Sequence, residues 1–200
     1  MHSTKEDIIV AALGLFQKKG FEETSVNDIL KATGLSKGGL YHHFKSKEEI
    51  ADSIIIQHIK KTKDYIDSKL EENMSPLEKF LLFIFAEREV LSSKEAELNM
   101  MALYLSPKAS SIRERAKRIS REYFLAPLMA VLEEGMQSGD FDIDSPEICA
   151  ELILSFENLV TSLPPEILND PEKLQTCIEK VYSLIAQLVG IDPNVLNDHC

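Results

Sequence analysis

Residues 36–47 carry the side chains of this chain that are best suited to bind nucleic acid. Lys37 stands first, and Tyr41, His42 and His43 follow it within two helical turns. A lysine can donate to guanine edges, while tyrosine and histidine can reach phosphate oxygens. A short helix that exposes these groups on one side is expected to bind DNA.

Two adjacent glycines, Gly38 and Gly39, lie inside the same short helix. Each costs a helix roughly 1 kcal/mol relative to alanine. A helix that accepts this cost is expected to bring its backbone close to a bulky partner, and DNA fits. An ordinary helical corner with a solvated tip is the alternative explanation.

A helix-turn-helix must position these residues. Thr24 or Ser25 can cap a first helix, and Asp28 follows Ser25 at the spacing of a capping box. Gly34 is suited to end this helix. Ser36 can then cap a second helix that runs to about Phe44. Two helices around a short turn that contains glycine are typical of this motif.

The run TGLSKGGLYHHFKSKE over residues 33–48 resembles the DNA-binding signature of the tetracycline-repressor (TetR) family of bacterial transcriptional regulators. Thr24 and Ile29 fall at the family's spacing as well. Leu30 stands where the family often has a small residue. Gly39 stands where Thr, Ser or Ala is common, which leaves one side chain fewer to read DNA.

Ten residues are expected to contact DNA on these grounds. They are Thr24, Ser25, Ser36, Lys37, Gly38, Gly39, Tyr41, His42, His43 and Lys47. Lys47 lies at the start of the next helix, where the backbone N–H groups and the helix dipole favour a phosphate. A solvated lysine is the alternative at that position.

Hydrophobic periodicity predicts an all-α fold of about nine helices. Residues 1–47 form a three-helix DNA-binding domain in this prediction, and residues 48–200 form a helical bundle for effector binding and dimerisation. The predicted helices are 4–19, 26–33, 37–44, 47–70, 76–91, 95–105, 110–138, 146–163 and 171–189. The tail 194–200 is expected to be frayed.

The net charge of −11 is unusual for a DNA-binding protein, but it is unevenly distributed. Residues 1–50 hold seven lysines and seven acidic residues, so they are neutral and residues 51–200 carry all of the −11. Residues 18–47 hold six lysines and three acidic residues, a local charge of +3. A positive patch confined to the helix-turn-helix is the electrostatic pattern that DNA binding requires.

Signals for other classes of protein are weak. The sequence shows no phosphate loop, dinucleotide fingerprint or zinc spacing, and residues 59–198 hold no histidine, so we expect no enzyme, metal or cofactor. Its longest apolar run is too short to span a bilayer. Three unclustered cysteines indicate a reducing, cytoplasmic compartment. Inert buried thiols explain Cys149 and Cys177 best, with redox sensing as a minor alternative.

Two consecutive amphipathic helices near the C-terminus indicate a homodimer. Their apolar stripes are broader than one intramolecular contact needs, so two copies are expected to form a symmetric four-helix interface. A wholly intramolecular core is the alternative. The predicted interface residues are Leu152, Phe156, Leu159, Leu163, Leu174, Ile178, Val181, Ile185 and Leu188.

The resemblance also implies a small-molecule effector in the second domain, and such pockets are mostly apolar with a few polar anchors. Candidate lining residues are Phe83, Glu87, Met100, Met101, Tyr104, Tyr123, Met129, Phe156 and Glu157. The basic half of the helix 110–138 could bind DNA or an anion. A solvated face with internal ion pairs is the other explanation of that half.

Together these features predict a sequence-specific transcriptional regulator. The resemblance implies a repressor that a small molecule releases from a palindromic double-stranded operator. An architectural DNA-binding dimer without an effector, or a helical enzyme, are the alternatives.

Overall fold

A computed structural model describes residues 4–91, 110–157, 163–168 and 170–197, without the side chains of residues 110, 157 and 165. These described residues form ten helices and no strand, as the all-α prediction requires. The helices are α1 (Thr4–Lys19), α2 (Val26–Thr33), α3 (Lys37–His43), α4 (Lys47–Lys69), α5 (Pro76–Val90), α6 (Ser110–Ser138), α7 (Pro146–Glu157), α8 (Pro165–Leu168), α9 (Pro171–Val189) and α10 (Pro193–Asn197). No helix among them is long and apolar enough to cross a membrane.

The chain divides into two compact units. The first comprises Met1–Lys61 and Leu91–Ile119, and the second comprises Thr62–Val90 and Ser120–Cys200. The division therefore falls inside α4 and α6. The boundary between residues 47 and 48 that the sequence suggests stays a prediction.

The first unit is built around aromatic and aliphatic side chains of its first three helices. Phe16, Ile29 and Leu40 are buried, one from each of these helices. The Phe21 ring packs edge-on against Phe16, with the ring centroids 5.1 Å apart. Phe44, the residue that ends α3, is buried as well.

Local hydrogen bonds set the ends of α2 and α3 as predicted. The Ser25 hydroxyl accepts from the backbone N–H of Asp28, and the Asp28 carboxylate accepts from the backbone N–H of Ser25. Gly34 ends α2 in the left-handed region at φ 69°, where glycine carries no steric cost. Ser36 caps α3 by accepting from the Gly39 N–H at 3.1 Å.

The second unit has its own core, in which a loop packs against two helices. The Phe80 ring of α5 lies 5.4 Å from the Phe141 ring, centroid to centroid. A Cβ atom at Gly135 on α6 would lie 2.1 Å from the Phe141 ring, so only glycine fits there. The Asp142 N–H then donates to the Val189 carbonyl oxygen at 3.1 Å and holds the loop against the end of α9.

The structure corrects the sequence reading in two places. The tail was expected to be frayed, but Pro193–Asn197 forms α10, and its Leu196 side chain is fully buried. The proline loop after α7 contains a helix of four residues, α8, that was not predicted. The helix predicted over 95–105 lies outside the described residues.

Candidate nucleic-acid interface

Helix α3 turns one side into the core of the first unit and leaves the other side exposed. Leu40 is fully buried, whereas Tyr41 keeps 47% of its surface exposed. Lys37 and His42 are exposed with Tyr41, and His43 is half-buried. A buried anchor thus fixes the helix while a lysine, a tyrosine and a histidine point outward, as groups that bind in a DNA groove must.

The glycines of α3 are not required by the packing of the protein. A Cβ atom at Gly38 would meet nothing nearer than the Ser36 hydroxyl oxygen at 3.9 Å. At Gly39 the nearest atom would be the same oxygen at 3.5 Å, an ordinary van der Waals contact. Both glycines lie within the helix, where alanine is favoured. Packing within the first unit therefore does not explain why these two positions lack side chains, whereas a partner outside the unit could.

The two hydroxyl residues before α2 are engaged within the protein. The Thr24 side chain is 1% exposed, and its hydroxyl donates to the Gly20 carbonyl oxygen at 2.7 Å. The Ser25 hydroxyl donates to the Asp28 carboxylate at 2.6 Å. Thr24 therefore fixes the loop before α2, and Ser25 stays exposed at the helix start.

Lys47 reaches back from the start of α4 to this same loop. Its ammonium donates to the Phe21 carbonyl oxygen at 2.7 Å and lies 3.4 Å from that of Glu22. The ammonium also sits above the Phe21 ring, 4.3 Å from the centroid. An ammonium has three N–H donors, so one remains for a phosphate oxygen.

The Asp28 carboxylate is held in its charged form. The Lys19 ammonium lies 2.6 Å from it. This contact, together with the hydrogen bonds from Ser25, lowers the pKa of Asp28 well below its ordinary value. Asp28 therefore stays ionised at any pH near neutral and keeps the start of α2 capped.

The two compact units differ more in net charge than residues 1–50 and 51–200 do. The first unit holds 15 basic and 11 acidic residues, a net charge of +4. The second holds 7 basic and 22 acidic residues, a net charge of −15. The unit that contains α3 is thus the one suited to a polyanion.

The predicted dimer residues differ widely in their exposure. On α7, Leu152 is 42% exposed and its neighbour one turn earlier, Ile148, is 61% exposed, which is unusual for apolar side chains of this size. On α9, Val181 and Ile185 are buried within the unit. Half-buried members are Phe156, Leu163, Leu174, Ile178 and Leu188. Leu159 lies outside the described residues. Leu184, which adjoins the predicted stripe on α9, is 47% exposed.

The predicted effector residues that the structure describes lie on three helices of the second unit, α5, α6 and α7. Glu87 is exposed, so its carboxylate is not the buried charge that would need a cationic partner. The half-buried candidates are Phe83, Tyr123, Met129 and Phe156. Met100, Met101, Tyr104 and the Glu157 side chain lie outside what the structure describes.

Two contacts near the candidate interface were missed from the sequence. They join Glu22 to Ser111 and Asp52 to Arg115, across long sequence separations. Periodicity indicates which residues share a helix face, but it does not indicate which faces of distant helices meet. No sequence signal was therefore available for these contacts.

Known proteins are similar to this chain in sequence and in fold. The family model described as bacterial regulatory proteins, tetR family, matches residues 8–54. The HTH-type transcriptional repressor KstR2 of Mycobacterium tuberculosis is 28% identical over 153 residues, covering 72% of this chain and 74% of that protein. The solved TetR family transcriptional regulator PfmR of Thermus thermophilus is 30% identical, with 78% of this chain and 84% of that chain covered at a TM-score of 0.52.

A second solved structure matches almost the whole length. It is a TetR-family regulator from Syntrophomonas wolfei, which is 19% identical and covers 94% of this chain and 98% of that chain at a TM-score of 0.70. The helix-turn-helix and these likenesses define a DNA-binding transcriptional regulator. The chain belongs to the tetR family of bacterial regulatory proteins.

Proposed function

We propose that this protein is a cytoplasmic, homodimeric repressor that binds a palindromic operator and leaves it when a small, mostly apolar effector binds the second unit. The observation that carries the DNA-binding part is the exposed face of α3. Lys37 and Tyr41 project from a backbone that Gly38 and Gly39 leave bare. A bare helix face beside a lysine and a tyrosine suits close entry into a major groove.

Within this proposal the contact residues have separate roles. Lys37 donates to base edges, because it is exposed at the start of α3. Tyr41, His42 and Lys47 bind phosphate oxygens beside it. The buried Thr24 positions the loop and makes no direct DNA contact, since its hydroxyl already bonds to Gly20.

Homodimerisation is supported by the exposed apolar side chains of α7 and α9. Ile148, Leu152 and Leu184 leave large apolar surfaces in water, and a second copy of the chain would cover them. Two copies related by a two-fold axis would present two α3 helices to a DNA site of the same symmetry. This arrangement is the reason for proposing a palindrome.

The names of two relatives support repression. KstR2 and DhaR, which is 24% identical over 170 residues, are both named transcriptional repressors. The effector would bind among the apolar helices of the second unit and favour a state of lower operator affinity. Such coupling is reciprocal, so operator DNA would weaken effector binding by the same factor.

The test is selection of bound duplexes from a pool of random DNA, followed by sequencing, at two salt concentrations. The wild type is compared with the double variant Lys37→Ala, Tyr41→Ala. Lys60→Ala, which removes one exposed lysine of α4, is the charge-matched control. We expect a palindrome with the wild type and the control, and no enrichment with the double variant. Weak, salt-sensitive binding without enrichment by all three proteins would refute the proposal.

A further inference from the structure

Within the first unit, two polar links join the start of α6 to the loop before α2 and to α4. The Ser111 hydroxyl donates to the Glu22 carboxylate at 2.5 Å. One turn further along α6, Arg115 Nη1 donates to both oxygens of Asp52 on α4, at 2.8 and 2.9 Å. The basic half of α6 was expected either to bind an anion or to be a solvated face. Arg115 instead forms an ion pair with another helix.

The Asp52–Arg115 pair is more than a surface contact. The two side chains are only 26% and 28% exposed, and Arg118 Nη2 lies 3.8 Å from the same carboxylate. Ile112 and Ala116, the residues of α6 on either side of this turn, are buried. A partly buried charge pair that is flanked by apolar packing fixes two helices in one register more firmly than an exposed pair does.

One link ends on the residue whose carbonyl oxygen lies near the Lys47 ammonium, and the other ends on the helix that carries Lys47. The Glu22 carbonyl oxygen lies 3.4 Å from the Lys47 ammonium. Asp52 follows Lys47 on α4 by five residues, about one and a half turns. The start of α6 therefore holds the loop before α2 with one link and α4, the helix that begins at Lys47, with the other.

We propose that Ser111 and Arg115 are positioning residues for DNA binding, which act through Glu22 and Asp52 to hold the Lys47 ammonium and the loop 20–24 where they meet phosphate. The proposal rests on the proposed function, because it assigns a role in operator binding. It adds a part of α6, distant in sequence from the helix-turn-helix, to the residues that determine operator affinity. None of the four residues needs to touch DNA.

Asp52→Asn separates positioning from simple electrostatics. The change removes a negative charge from the DNA-binding unit, so charge alone predicts tighter DNA binding. Positioning predicts weaker binding, because Arg115 loses its charged partner. We expect operator affinity to fall roughly threefold to tenfold, which lies in the lower part of the range for residues in contact. Asp67→Asn is the control, since Asp67 is an exposed carboxylate of α4 that pairs with Lys63 within the same helix.

The link at Glu22 allows a second test without a buried charge. Ser111→Ala removes the hydrogen bond and keeps every charge, so it should weaken operator binding about threefold. Glu22→Gln keeps an oxygen that can accept from Ser111 and removes a negative charge near Lys47. Because it removes one negative charge that repels the phosphates, it should tighten operator binding about twofold.

Each variant is titrated against the duplex that the wild type enriches from random DNA, and against an unrelated duplex as a control. The thermal unfolding of each variant is measured as well. Rescue of Asp52→Arg by Arg115→Asp is expected to restore at least half of the lost affinity. If Asp52→Asn and Ser111→Ala lower the melting temperature but bind the selected duplex as Asp67→Asn does, the links are only structural and the inference is wrong. If the wild type selects no duplex, it is the proposed function that fails.

Discussion

The Lys47 ammonium donates to the Phe21 carbonyl oxygen at 2.7 Å and covers the ring of the same residue. The side chain is therefore ordered before any DNA arrives. A long lysine side chain ordinarily loses much rotamer freedom when it is fixed. Here the contacts to Phe21 have already restricted it, so a phosphate contact by Lys47 would lose less entropy than one by a freely moving lysine.

Lys47→Met should weaken operator binding and lower the salt dependence of binding. Removal of one phosphate contact reduces the slope of log affinity against log salt by about 1. The measurement is operator affinity at four or so salt concentrations, compared with Lys60→Met on the exposed side of α4. Equal slopes for the two variants would show that Lys47 only anchors the loop.

Asp28→Asn should lower the free energy of unfolding at neutral pH, and the difference from the wild type should shrink in acid. The pKa of Asp28 is lowered in the folded state, chiefly by Lys19 and then by Ser25. The unfolded state therefore binds the proton more tightly, and the stabilisation is fully present above the ordinary pKa of about 3.9. It is lost as the pH falls from there through the lower folded pKa.

Urea unfolding of the wild type and Asp28→Asn at pH 7 and at pH 3 tests this expectation. The two midpoints should differ at pH 7 and approach each other at pH 3. Asp67→Asn changes an exposed carboxylate of α4 and serves as the comparison. A difference between the wild type and Asp28→Asn that is the same at both pH values would mean that the charge of Asp28 contributes nothing.

Gly38→Ala and Gly39→Ala should each stabilise the protein and weaken its DNA binding. The added methyl group has room within the unit at both positions, and alanine favours the helix by up to about 1 kcal/mol. On DNA the methyl group would hold the helix away from the groove. A loss of about tenfold in operator affinity is expected, the size of one lost base contact.

Chemical denaturation and operator titration of the same two samples measure both effects. A stabilised variant with unchanged affinity would place that glycine outside the contact surface. Gly135→Ala is an opposite case, because its Cβ would clash with the Phe141 ring and the protein should lose stability.

Leu152→Glu should separate the proposed dimer. A carboxylate buried in an apolar interface without a partner costs about 3 kcal/mol or more, which raises the dimer dissociation constant at least about a hundredfold. Sedimentation equilibrium measures this change. Val10→Glu, at an apolar α1 residue that is 66% exposed, should leave the association unchanged. A Leu152→Glu protein that sediments like the wild type would place the interface elsewhere.

Local chemistry made part of the fold predictable. Ser25 with Asp28, and Ser75 with Glu78, form reciprocal caps within four residues, and the first of these caps was predicted from the sequence. The burial of Leu196 was missed, because a short helix near the C-terminus acquires its place only from packing against distant residues. The Gly135–Phe141 contact was missed although only six positions separate the two residues, because helical periodicity does not indicate how a loop folds back on the helix before it.

The candidate site shows the same division between local and distant signals. The exposed face of α3 follows from helical spacing around Leu40, and it was predicted. The contact between Lys47 and the Phe21 carbonyl joins residues 26 positions apart, and the Asp52–Arg115 pair joins residues 63 positions apart. Charge and periodicity identified Lys47 and the basic run, but only the tertiary structure shows which partners they meet.

Pro127 lies within α6, which continues through it from Ser110 to Ser138. Proline has no backbone N–H, so the Tyr123 carbonyl lacks the donor that the next helical turn normally supplies. A helix that lacks one backbone hydrogen bond bends more easily at that turn than elsewhere along its length. We therefore expect bending of α6 to concentrate between Tyr123 and Pro127. Residues 110–122, which include Ser111 and Arg115, are expected to move together as one rigid segment.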